Sequence, residues 1–495
     1  MPRSPATPAS DDPARLVSAA NACADSRPAE AERLYARALV RAPSDVEALV
    51  GHARVCLQLG KLAEAMGSLE AALARAPEEP RANLLFGKLA LRLREPALAV
   101  QHFQRLLHAQ PDSEAGRAAL AHAFAAQGRA EEALRLVGGL IELNPHSELA
   151  WLTAGIVQEQ LRRDEGAAEA YEAALEVAPR SPAARYHRAF LRLRAGDFAA
   201  GWRDYEARFD AGFVPRAPSQ APQWDGQDSG HLVVFAEQGF GDAIQFARFV
   251  PMAAARVKRL TLVAPAPLVD LFARSLGVTV IAAGAGLPRH DSHISLMSLP
   301  HALALGASCV SWSGPYLHAP ASLPASLALP RNEGRRRVGL VWATSPAHPT
   351  EATPYTRRSC LLRDLAPLLD RADIDWFSLQ IGPAAREIET ADWQSRITDL
   401  SPRLGSFDAT AAVVAQLDAV VSVDTAVAHL AGALGRPLHL LLPHAANWQW
   451  QRGEQTSWYP GAALHRQFHP GDWTGAVASV GVALREAVVA APAPV

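Results

Sequence analysis

Cysteine is scarce. The 495-residue chain has four, Cys23, Cys56, Cys309 and Cys360, and none stands in a C-x-x-C pair. That argues against a disulfide framework or a thiolate zinc site and for a reducing compartment. An excess of one charge is also missing: 48 Lys and Arg face 50 Asp and Glu, a net of -2. Such a balance gives no broad field for nucleic acid or an anionic membrane. No uncharged apolar run is long enough to span a bilayer, and the opening MPRSPATPASDDPAR has no apolar stretch of the secretory kind. The expectation is a soluble, cytoplasmic protein with no nucleic-acid partner, no membrane span and no metal or cofactor. What is present is length for two or three domains and a hydrophobic share of 49%, enough for ordinary cores.

A period of 34 residues organises the first part. Prolines fall at Pro43, Pro77, Pro111, Pro145 and Pro179, where one helix pair would end and the next begin. Small residues keep the same step at Ala19, Ala53, Gly87, Ala121, Gly155 and Ala189, and again at Ala31, Ala65, Ala99, Ala133, Ala167 and Gly201. Bulky residues come next at Tyr35, Leu69, Phe103, Val137, Tyr171 and Tyr205, and Gly60, Gly128 and Gly196 stand where a first helix turns into its second. Small positions let helices approach, and the bulky ones fill the space beside them. The segment resembles the tetratricopeptide family, with about six repeats over 14–213 after a disordered 1–13. Stacked repeats of this kind offer a concave surface for peptides. The sixth repeat lacks the closing proline, having Phe213 there. Its Trp202, Tyr205 and Phe209 at helical spacing are expected to pack against the adjoining C-terminal part of the chain.

The register stops at a Pro-, Gln- and Ser-rich linker, 214–230. Beyond it, short apolar runs alternate with helical stretches: 232–236, 260–264, 278–282, 337–342, 376–380, 419–423 and 438–442. Strands alternating with helices predict parallel sheets, and the Pro-rich stretch 315–330 divides them into lobes at 231–330 and 331–490. The fold class is thus α plus α/β, a helical superhelix followed by two Rossmann-like lobes with a cleft between them.

Three places look chemical. Glu237-Gln-Gly-Phe-Gly-Asp242 comes after the first strand and opens a helix. Gly239 and Gly241 let backbone approach a ligand, and Asp242 can act as a base or simply cap the helix. The stretch is not a dinucleotide fingerprint: Ile244 occupies the third glycine position, and Ala264-Pro265 ends the second strand where a ribose-binding acid would be. Second, the strand 419–423 runs into Asp424-Thr425, with His429 one turn on. That helix start suits a diphosphate; the competing reading has Asp424 as the cap and His429 as a core histidine. Third, Arg358-Ser359 closes the loop after strand 337–342, and a guanidinium can grip phosphate. Asp373 and Asp375 form a D-x-D ahead of their strand, the wrong end for a ligand. His290 and His293 make a poor metal pair. Trp448, Trp450, Trp458 and Tyr459 could stack on a base or sugar or be core.

The stretches 237–251, 336–348, 378–388, 421–437 and 447–467 together resemble glycosyltransferase family nine, the heptosyltransferase-like group with the GT-B fold. The resemblance covers about 231–490, and 421–437 is its most specific part. It implies that Asp242 is the general base, that Asp424, Thr425 and His429 belong to the motif holding the donor, and that Arg358 and Ser359 lie near the donor diphosphate. It implies an inverting, metal-independent transfer from a nucleotide-sugar to an acceptor hydroxyl, with a protein or peptide acceptor presented by the repeats. Ala343-Thr344-Ser345-Pro346 stands where relatives usually read Ala-Gly-Asn-Pro. The alternative is a non-catalytic adaptor in which the repeats recruit a partner and the α/β part is structural or only binds nucleotide. The loop 343–359 discriminates between the two.

Overall fold

The computed structural model describes residues 12–93, 95–227, 229–306, 314–344, 358–390 and 392–489. Most of the expected disordered N-terminus, Cys309, and residues 345–357 of the discriminating loop lie outside them. The chain divides into two compact units, with the boundary after Ser181.

The first unit is a run of helix pairs: α1 (Pro13–Cys23) with α2 (Pro28–Arg41), α3 (Val46–Gln58) with α4 (Leu62–Arg75), α5 (Pro80–Arg92) with α6 (Pro96–Ala109), α7 (Glu114–Ala126) with α8 (Ala130–Leu143), and α9 (Glu148–Gln160) with α10 (Asp164–Val177). The periodic prolines come directly after the C-cap residues Ala42, Ala76, Gln110, Asn144 and Ala178. Gly60 and Gly128 turn each first helix with φ of 74° and 75°, and Arg162 takes φ 60° at the same register without being glycine. The small and bulky series meet as knobs against flats. A Cβ at Gly87 would overlap the ring of Phe103, and one at Gly155 the ring of Tyr171. Tyr35, Phe103 and Tyr171 are fully buried, each a burial worth roughly 1.5–3 kcal/mol. Cys23 and Cys56 are buried free thiols here, as is Cys360 in the second unit.

The second unit begins with the sixth repeat, α11 (Pro182–Ala195) and α12 (Phe198–Tyr205), which ends in a 3-10 turn Glu206–Arg208. Trp202 and Tyr205 are buried there, as their spacing predicts. Trp202 stands edge-on to Phe246, Trp448 and Trp458, with ring centroids 5.5–6.5 Å apart. Residues 222–224 lie along the first sheet's edge: Trp224 N donates to His293 O at 2.8 Å, and His293 N to Pro222 O at 3.0 Å.

Among the described residues there are then two all-parallel sheets. The first has β1 (Ser229–Phe235), β2 (Val257–Ala264), β3 (Thr279–Ala282) and β4 (Ser292–Ser295) in the order β3-β2-β1-β4. The second has β5 (Arg336–Val341), β6 (Ile374–Ser378), β7 (Ile397–Asp399), β8 (Ala419–Val423), β9 (Leu438–Leu442) and β10 (Ala462–Arg466) in the order β10-β9-β8-β5-β6-β7. β8 and β9 are buried at every position, as strands covered on both faces must be. Read from β7, the second sheet has the strand order of dinucleotide-binding folds. Such sheets take ligands at the carboxyl ends where the order reverses. Those points lie between β1 and β4 in one lobe and between β5 and β8 in the other.

Candidate active site

The chain leaves β1 through Ala236 and Glu237, and Gln238 adopts φ 61°, a left-handed conformation that a non-glycine residue holds only against a cost. Gly239 then caps the helix Phe240–Phe246. Asp242 reaches back, its Oδ2 accepting from Gly239 N at 3.1 Å, so the capping role is real. Its carboxyl is also pushed up to about 6. Burial is the main cause and the Asp424 charge adds to it, against the pull of the Gly239 N–H and the Arg358 guanidinium. A carboxylate that titrates near neutrality is suited to taking a proton from a hydroxyl.

The opposite wall is the exit of β8. Thr425, not Asp424, caps the helix Ala426–Ala433: its Oγ1 accepts from Ala428 N at 3.4 Å and shares a hydrogen bond with Ser422 Oγ at 2.9 Å. Asp424 is therefore spared for something else. It is 2% exposed. Arg358 Nη1 stands 3.6 Å from its Oδ2 and His429 Nε2 3.7 Å from its Oδ1, both beyond hydrogen-bonding distance. Oδ2 has no hydrogen-bond partner among the described residues. His429 is itself buried. Its Nδ1 shares a hydrogen bond of 3.1 Å with Tyr459 Oη, and its ring stacks on Trp450 at 5.0 Å. Burial drops its pKa to about 4, against the pull of Asp424, so at neutral pH it is an uncharged ring and not the partner of a salt bridge.

The two walls touch. The helix Phe240–Phe246 packs against Ala426–Ala433, and a Cβ on Gly241 would lie 2.9 Å from His429 Cδ2 and 3.6 Å from Ala426 Cα. Gly241, Asp242, Asp424, Arg358 and His429 thus form one cluster. Ser359 does different work. Its Oγ accepts from Thr344 N at 3.0 Å and lies 3.1 Å from Thr344 Oγ1, which closes the base of the loop and leaves Arg358 to face Asp424.

Other residues of the site have roles that sequence reasoning does not assign. Gln380, at the end of β6, accepts with Oε1 from Trp342 N and Ala343 N at 3.1 and 2.8 Å and so shapes the exit of β5. A polar residue just past a buried parallel strand is the signal that points to it. Tyr459 orients His429, and Arg208 binds Glu237 at 2.8 Å. The sequence marks Tyr459 only as a stacking or core aromatic, and Arg208 has no local signature. The weaker sequence candidates resolve into structure. Asp373 pairs with Arg371, and Asp375 with Arg335 and Asn332. His290 binds Ser219 and the Pro288 carbonyl, whereas His293 lies in β4. Trp448, Trp450, Trp458 and Tyr459 are all at most 4% exposed and pack as core.

Comparison with known proteins agrees with this division. Residues 22–89 and 90–156 match the tetratricopeptide repeat family. Residues 380–440 match glycosyltransferase family 9 (heptosyltransferase), a span that includes Gln380, Asp424, Thr425 and His429. Protein FlbA of Caulobacter vibrioides is 24% identical over 507 residues, covering 86% of this chain and 82% of its own. Among solved structures, a tetratricopeptide repeat protein from Parabacteroides merdae aligns at 19% identity over 40% of this chain and 78% of its own, with a TM-score of 0.39. YrrB, a TPR protein with an unusual peptide-binding site, aligns at 23% identity over 36% of this chain and 91% of its own, with a TM-score of 0.30. The chain therefore joins N-terminal tetratricopeptide repeats to a C-terminal parallel α/β region bearing a glycosyltransferase family 9 match.

Proposed function

We propose that this protein is an inverting, metal-independent glycosyltransferase that moves a sugar from a nucleotide-sugar to an acceptor hydroxyl, with the repeats presenting a protein or peptide acceptor. The observation that carries this reading is the convergence of Gly241-Asp242 with Asp424, Arg358 and His429 at the strand exits of two parallel sheets, inside a chain with a family 9 match. Asp242, ionised above about pH 6, takes the acceptor's proton as its oxygen attacks the anomeric carbon. The bond to the diphosphate breaks on the opposite face, which inverts the centre. Arg358 and the open N–H groups of the helix Ala426–Ala433 supply positive charge for the departing diphosphate. That is a protein-derived electrophile, and the mechanism needs no metal. Asp424 would repel phosphate, but its unsatisfied Oδ2 suits a hydroxyl of the donor sugar. Gly239 and Gly241 keep the backbone low beside it.

The test is a panel of nucleoside diphosphates and nucleotide-sugars added to the full chain, with thermal melting and the release of diphosphate in the presence of acceptor protein as readouts. The reading expects one nucleotide class to raise the melting temperature, since a ligand of the native state stabilises it, and the matching nucleotide-sugar to turn over. A chain that binds none of them is the adaptor.

A further inference from the structure

The last repeat reaches into the base of the site. Arg208, in the 3-10 turn that closes it, is fully buried. Its Nη1 donates to Glu206 Oε1 at 2.7 Å and to the Tyr205 carbonyl at 3.2 Å, and its Nη2 donates to Glu237 Oε1 at 2.8 Å and to Ser298 Oγ at 2.7 Å. Ser298 in turn donates to Glu206 Oε2 at 3.0 Å. The guanidinium lies 4.7 Å from the ring centre of Tyr205 and 4.1 Å from that of Phe209. A buried cation is tolerated only with carboxylates in direct contact, and one of its two belongs to the glycine loop.

The grip continues residue by residue along that loop. Glu237 Oε1 also accepts from Met297 N at 3.2 Å. Gln238, in its costly left-handed conformation, donates with Nε2 to Tyr205 Oη at 2.8 Å. Gly239 N then donates to Asp242. Tyr205 and Arg208 of the repeat therefore hold two successive loop residues, and the third binds the carboxyl proposed as the base. Strained backbone persists where its surroundings over-determine it, and here side chains of the repeat do so. Buried ion pairs contribute little net stability but can impose one geometry.

We propose that Arg208 is a positioning residue for sugar transfer: through Glu237 it fixes the loop 237–239 and with it the orientation of Asp242. This rests on the reading of Asp242 as the base. It makes the sixth repeat part of the transferase, in accord with the grouping of α11 and α12 with the α/β sheets.

The experiment uses the full chain with Arg208→Met, Arg208→Lys and Glu237→Gln. It measures kcat, donor KM, and amide hydrogen exchange at 237–242 against exchange in β1 and β2. Arg208→Met is expected to lower kcat by roughly ten- to a hundredfold through misplacement of the base, with donor KM within about threefold of wild type. Exchange should quicken at 237–242 while β2 stays protected. Arg208→Lys should recover only part, because an ammonium cannot bridge Glu206, Glu237 and Ser298 as a guanidinium does. Unchanged kcat and loop exchange in Arg208→Met overturns the proposal. So does a uniform loss of protection in which kcat falls only with the folded fraction, since that marks a purely structural role. If Arg208→Met does not fold, Glu237→Gln decides, because it keeps the shape and removes the charge facing Arg208. Wild-type kcat and exchange in that variant overturn the proposal too. A wild-type chain that transfers no sugar sinks the base reading instead, and the exchange data still report whether Arg208 holds the loop.

Discussion

Gly241 and His429 come from different lobes and stand so close that a Cβ on the glycine would lie 2.9 Å from the ring's Cδ2. The ring has no room to give, since Trp450 stacks on it and Tyr459 holds its Nδ1. Gly241→Ala must therefore part the helices Phe240–Phe246 and Ala426–Ala433 by a few tenths of an ångström. The expected outcome is a fall in kcat/KM of about tenfold or more with a small change in melting temperature. Steady-state kinetics beside a thermal melt check it, and wild-type kinetics would show that the contact is irrelevant to transfer.

On the function proposed above, Asp242 sets the pH dependence of kcat/KM. The base works ionised, its carboxyl is pushed up to about 6, and kcat/KM should fall as the pH drops through that value. Asp424 raises this pKa and Arg358 lowers it. Asp424→Asn should move the acid limb to lower pH, and Arg358→Gln should move it to higher pH. Both should also weaken donor binding. An acid limb that stays put in both variants means that another group is the base.

Stability should fall on mild acidification. His429, His439 and His465 are all held near 4 by burial, and His439 Nδ1 lies 3.3 Å from His465 Nε2. Between about pH 6.5 and 4 the unfolded chain binds protons that the folded chain refuses, so their contribution is whole above pH 6.5 and lost as the pH falls toward 4. Each such group costs up to about 1.4 kcal/mol per pH unit in that window. Asp242 and Glu237, whose carboxyls burial raises, act in the opposite sense at acid pH, and the three histidines, together with His102 of the repeats, also held near 4, outweigh them. Urea melts at pH 7 and pH 5 measure the difference. Equal stability at the two values would mean that these rings are hydrated.

Removal of residues 1–180 should separate chemistry from acceptor recognition. The shortened chain keeps the whole of the unit that contains the sixth repeat and both sheets. Hydrolysis of the donor is expected to persist, and transfer to a protein acceptor to drop at least tenfold, the loss of a docking surface. Undiminished transfer to the protein acceptor would show that the first five repeats are not its docking site.

The repeats were legible because their rule is local. A proline every 34 residues and a small residue 16 before each bulky one are visible without knowing any long-range contact, and Gly87 with Phe103 shows what the spacing accomplishes. β8 and β9 announced themselves for the same reason, as mainly apolar runs each interrupted by one polar residue, Ser422 and His439. β4, β7 and β10 did not, because SHIS, ITD and AALHR are short or polar and take their strand form from a neighbour's ladder. At the site, Asp242, Asp424 and Arg358 stood out as charges at strand exits. The cap was harder to assign, since Asp424 is the better cap in isolation and only the structure shows Thr425 taking that place. Arg208 was out of reach altogether, because its partners Glu237 and Ser298 lie 29 and 90 residues away.

Turnover and donor affinity of Asp242→Asn beside the wild type, with the nucleotide-sugar that the binding panel identifies, decide whether Asp242 is the base. Asparagine keeps the side-chain oxygen that accepts from Gly239 N, the N3 half of the helix's capping box, so the fold and the donor site should survive. Loss of the base should lower kcat roughly a hundredfold or more, with the donor dissociation constant little changed. Transfer at the wild-type rate by Asp242→Asn would contradict that role and leave Asp242 as a helix cap alone.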